Sequence, residues 1–126
     1  MYKTVLVPID LDQIEQGISL VNTALAFVKT ANCNFVLVHV TPEIPKYIST
    51  QIPENLLIEA RDEAFKKLKE IAEIAGAGDQ AELIVREGSI HSEILTVAED
   101  IEADLIIMAS HQPEFSDYLL GTTAAR

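Results

Sequence analysis

Three groups of residues in this chain have types and spacings that chemistry can use. The first is Asp10, a carboxylate that ends the stretch "KTVLVPID". At the end of a strand it can accept from ribose hydroxyls or help to hold Mg²⁺. It can equally accept from backbone donors at the start of the next helix. The second group is Gly121-Thr122-Thr123, a glycine and two hydroxyls ahead of what reads as a first helical turn over 122–126. Free N–H groups beside hydroxyls at a helix start form an anion site. The other reading is that Thr122 caps the helix and Gly121 permits the turn. The third group is His39, His91 and His111. No pair has the i, i+4 or other spacing of metal ligands, so metal binding would need a tertiary coincidence. His111 is kept as a phosphate or ribose contact, and the other two as structural or surface residues. Cys33 has no base close to it in sequence and is not part of a Cys-x-x-Cys pattern, and Ser110 beside His111 is adjacency, not a dyad. No Walker A, Gly-x-Gly-x-x-Gly or Gly-x-Ser-x-Gly pattern occurs. The residues therefore support ligand binding and show no pattern for rapid turnover.

Residues 3–8 form an apolar run rich in Val, which predicts a buried strand. Asp12 is placed to cap a helix whose stripe is Ile14, Ile18, Val21, Leu25 and Val28. "FVLVHV" reads as a second buried strand. Residues 41–55, with Pro42, Pro45, Pro53 and Tyr47, read as a long functional loop. A second helix runs from Pro53 to Ala75, with Leu57, Ala60, Ala64, Leu68, Ile71 and Ala75 inward, and Gly76 and Gly78 stop it. "AELIVREG" is a third strand. Ser89 caps a third helix with Ile90, Ile94, Val97 and Ile101 on one face, and "ADLIIMAS" is the fourth strand. Apolar strands alternating with helices predict one α/β domain over residues 1–126, a Rossmann-like open parallel sheet covered on both faces. Right-handed crossovers favour the strand order 3-2-1-4.

The formal net charge is −11, which disfavours nucleic acid and anionic lipid as partners. Lys66, Lys67 and Lys69 lie among Glu63 and Glu70 and read as a solvated helix face. No apolar run approaches the roughly 20 residues of a membrane span, so no membrane insertion is expected. One cysteine and no signal-like N-terminus make the cytoplasm the expected setting. In a sheet of this order a ligand sits beyond the strand carboxyl ends, between strands one and four. "PID" and "MASHQPEFSDYLLGTT" meet there.

"KTVLVPID", "VLVHV", "REGSIHSEILTVAED" and "ADLIIMASH…YLLGTTAAR" together resemble, in order and over the whole chain, the universal stress proteins. The likeness is to the F/G type, in which "ASH-x-P" and "YLLG" bracket a short loop. The resemblance implies a usually dimeric stress-response domain that binds ATP or another adenine nucleotide, with Mg²⁺ as a candidate companion, and is not a rapid catalyst. A nucleotide-free interaction module of the same fold is the alternative. The family's Gly-x-x-Gly, nine residues, Gly-Ser/Thr motif falls on Ala109, Gln112 and Gly121-Thr122, so two glycines are replaced and the loop is one residue shorter. The resemblance puts Pro8, Ile9 and Asp10 beside the adenosine and the Val40 backbone at the adenine edge. It runs Met108, Ala109, Ser110, His111 and Gln112 along the nucleotide, and sets Gly121, Thr122 and Thr123 on the phosphates. In the family a further helix and a fifth strand follow. A chain ending at Arg126 is thus expected to lack them, leaving the fourth strand as an apolar edge.

Overall fold

A computed structural model of the chain describes residues 3–109 and the backbone of 117–121. The elements are β1 (Thr4–Pro8), α1 (Ile14–Ala31), β2 (Asn34–Pro42), α2 (Lys46–Ser49), α3 (Glu54–Ile74), β3 (Ala81–Gly88), α4 (Ile90–Asp100), β4 (Leu105–Ala109) and β5 (Asp117–Gly121). β1 to β4 are parallel in the order β3-β2-β1-β4, as the sequence predicts.

The connections explain where the helices lie. From β1 to β2 to β3 the chain moves one way across the sheet, and right-handed crossovers then put α1 and α3 on the same face. The return to β4 on the other side of β1 reverses the direction and puts α4 on the opposite face. Two cores follow. Val5, Val7, Phe35, Leu37, Leu105 and Ile107 pack with α1 and α3 through Leu20, Val21, Leu25, Leu68 and Ile71. Leu6, Val36, Val38, Val40 and Ile106 pack with α4 through Ile94 and Val97. Alternate residues of each strand serve opposite cores, which is why the strands are apolar throughout.

Several helix ends depart from expectation. α1 starts at Ile14 with Gln13 at the cap position and no side-chain cap bond. Asp12 therefore does not cap it: the Asp12 N–H instead donates to Asp10 Oδ1 at 2.9 Å. Ser89 holds the cap position of α4 but makes no side-chain cap bond either. Ile14 and Ile90, in the first turns of α1 and α4, are exposed. In α3 Ala60 is exposed and Leu57 half-buried, whereas Ala64, Leu68 and Ile71 are buried. A helix of 21 residues is about 31 Å long and overruns the eight-residue β3, about 26 Å. Residues 41–55 contain the one-turn α2, which buries none of its residues.

The largest departure is β5. The sequence reading places no strand after the fourth and leaves its edge bare, but Asp117–Gly121 pairs antiparallel with β4, from Ala109↔Asp117 to Leu105↔Gly121. Tyr118, Leu119 and Leu120 are strand-forming residues, and β4 offers them a row of unpaired backbone groups. The helical turn expected at 122–126 lies outside the described residues.

Candidate functional site

A cavity of about 1060 Å³ opens at the carboxyl ends of β1, β2 and β4. β1 stops at Pro8 while β2 runs on to Pro42, so the strand ends are stepped. In a parallel strand successive residues turn their backbone groups to opposite neighbours. Val38 accepts from Ile9 N–H at 2.8 Å on the β1 side. Two residues on, the Val40 N–H and C=O face the same side, where β1 has already ended. The step therefore leaves one peptide donor and acceptor turned toward the crevice.

The turn after β1 forms the opposite wall. The Ile9 side chain is buried, and the Ile9 carbonyl accepts a hydrogen bond from His39 Nδ1 at 2.8 Å. A carbonyl can only accept, so Nδ1 is the donor of this bond. Asp10 is exposed, its Oδ1 holding the Asp12 N–H and its carbonyl accepting from Gln13 N–H at 3.0 Å. Gly17 brings α1 close: a Cβ there would lie 3.2 Å from Ile9 Cγ2. Met108 and Ala109, half-buried at the end of β4, supply the third side.

Six of the residues singled out in the sequence thus meet at one cavity: Pro8, Ile9, Asp10, Val40, Met108 and Ala109. Ser110, His111, Gln112, Thr122 and Thr123 lie outside the described residues. Gly121 is the exception. It pairs with Leu105, at the opposite end of β4 from Ala109, about 13 Å away along the strand. The structure does not bring it to the cavity, because "DYLLG" runs back along β4 as a strand. Asp12, Glu15, Gly17, His39, Thr41 and Ile90 also line the cavity and were not singled out for it. An isolated glycine inside an apolar helix pattern was the available signal for Gly17. Among the described lining residues the acidic side chains are Asp10, Asp12 and Glu15, and none is Lys or Arg.

The model of the universal stress protein family matches residues 1–126. The chain belongs to that family. As a universal stress protein it is 32% identical over 131 residues to universal stress protein MJ0531 of Methanocaldococcus jannaschii, covering 100% of this chain and 75% of that one. It is 26% identical over 132 residues to universal stress protein G of Escherichia coli O157:H7, covering 99% and 90%. That second relative agrees with the F/G likeness. Among solved structures, the protein MJ0577 superposes with a TM-score of 0.64 at 32% identity, over 90% of this chain and 78% of that one. A universal stress protein in complex with cAMP superposes at 0.55 and 22% identity, over 83% and 70%, and shows the shared fold. Among the described residues no helix is long and apolar enough to cross a membrane.

Proposed function

We propose that this universal stress protein binds an adenine nucleotide, ATP or a relative with fewer phosphates, in the crevice between β1 and β4. Binding regulates its association with a second copy or a partner, without rapid turnover. The stepped strand ends carry the reading. They turn one N–H and one C=O of Val40 toward a cavity of nucleotide size, as the edge of an adenine requires, while Asp10 stands across it as an acceptor for ribose hydroxyls. The fold neighbour solved with cAMP is a case of an adenine nucleotide on this architecture. Ser110, His111 and Gln112 follow Ala109 directly in the chain and are the proposed phosphate contacts, with Mg²⁺ as companion. Gly121 is paired at the far end of β4, which argues against it as a phosphate contact and leaves Thr122 and Thr123 as secondary candidates.

One observation favours a second reading, a nucleotide-free interaction module. The described lining has acidic residues and no Lys or Arg to receive a phosphate chain. A thermal melt of nucleotide-stripped protein separates the two. At about 100 times its dissociation constant a ligand adds roughly 2.7 kcal/mol, several degrees for a domain of this size. A shift with ATP and Mg²⁺ but not with GTP supports the adenine site. No shift with ATP, ADP or AMP in folded protein supports the module.

A further inference from the structure

His39 makes a contact that the reading above does not use. Its Nδ1 donates to the Ile9 carbonyl at 2.8 Å. Ile9 is already held twice: its N–H donates to the Val38 carbonyl at 2.8 Å, and its buried side chain meets α1 at Gly17. The residue after it is Asp10, tied downstream through Asp12 and Gln13. The Ile9 carbonyl and the Asp10 N–H belong to one planar peptide unit, which turns as a whole. The dihedrals on either side of that plane aim the Asp10 side chain. Upstream of Asp10 the chain is therefore pinned by β2 twice, once by a backbone oxygen and once by an imidazole.

We propose that His39 is the positioning residue of this crevice: its Nδ1–H holds the Ile9 carbonyl and so sets the direction in which Asp10 meets the ligand's ribose. The proposal rests on the adenine-nucleotide reading and gives that site a further participant, one that acts through Asp10. The bond needs a donor close to Cβ. Asn carries its amide nitrogen at the position of Nδ1, whereas Gln carries it one atom further out, toward the position of Nε2.

The test is calorimetric titration of the full chain with AMP. His39→Asn is expected to bind within about threefold of the parent. His39→Gln is expected to bind about tenfold more weakly, the equivalent of one lost hydrogen bond. In an Asp10→Ala background His39→Gln should have no further effect, since the two residues act as one unit. Equal weakening by Asn and Gln, or a Gln effect that survives loss of Asp10, would overturn the proposal. A parent chain that binds no AMP, ADP or ATP sinks the nucleotide reading instead. The positioning claim is then decided by NMR on the same proteins. An Asp10 amide resonance moved by Gln and not by Asn supports it, and one moved by neither overturns it.

Discussion

At the scale of single residues, two carboxylates show how backbone donors decide what an acid does. Asp104 stands at the entrance to β4, where its Oδ2 accepts the N–H of Lys3 at 2.8 Å and of Thr4 at 3.1 Å. The Lys3 bond first, the Thr4 bond second, and to a smaller extent the Lys3 charge hold its pKa below the ordinary carboxylate value against some desolvation. A depressed folded pKa means that the contribution is complete above the unfolded value near 4 and is lost as pH falls through the lower, folded one. Urea unfolding at pH 7 and pH 3 checks this. Asp104→Asn should lower the midpoint at pH 7 and leave it less sensitive to pH below about 4 than in the parent. Equal pH slopes in the two proteins would refute the clamp. Asp10 has its own local duty, holding the Asp12 N–H. Asp10→Asn keeps that acceptor and should lose nucleotide affinity with little change in stability, while Asp10→Ala should also cost about 1 kcal/mol. Calorimetry and denaturant unfolding, run together, separate the two roles.

At the scale of elements, the site depends on where helices and strands stop. Gly17 lets α1 lie against Ile9: a Cβ there would stand 3.2 Å from Ile9 Cγ2, already tight for a methyl. Gly17→Leu should push Ile9 toward β2, destabilise the fold by about 1–3 kcal/mol as overpacking does, and weaken nucleotide binding in the same protein. Full affinity in a folded Gly17→Leu variant would show that the β1–α1 turn is not part of the site. β5 makes an independent claim. With Gly121 paired to Leu105, Gly121→Val should leave nucleotide affinity within about twofold. Loss of binding in that variant would put the turn after Leu120 back beside the phosphates.

At the scale of the whole molecule, charge governs which ligand the crevice takes. The chain carries −11, no Lys or Arg lines the described cavity, and none occurs between Ala109 and Ala125. An uncomplexed triphosphate approaches against that field, which 0.15 M salt confines to about 8 Å. In EDTA at low salt, adenosine and AMP should therefore bind more tightly than ATP, with the gap narrowing on adding salt or Mg²⁺. ATP binding tightest under those conditions would mean that cationic groups beyond the described lining receive its phosphates.

The layered α/β fold, the order of the strands and the place of the crevice were all legible in the residues. Apolar runs such as "VLVHV" and the stripe from Val21 to Val28 report burial directly, and chirality leaves few ways to connect them. The same reasoning brought Asp10 and Met108 to one place, because a switch point follows from strand order alone, whereas Val40 was pointed to by the family resemblance. Contacts between residues distant in sequence were not legible. His39 and Ile9 stand 30 residues apart, and nothing local marks an imidazole for a carbonyl on another strand. The same holds for Asp104 reaching Lys3 and Thr4 across 101 and 100 positions. β5 shows the limit most clearly. "DYLLG" is compatible with loop or strand, and the choice belongs to the open edge of β4, whose unpaired backbone groups exist only once the sheet has formed.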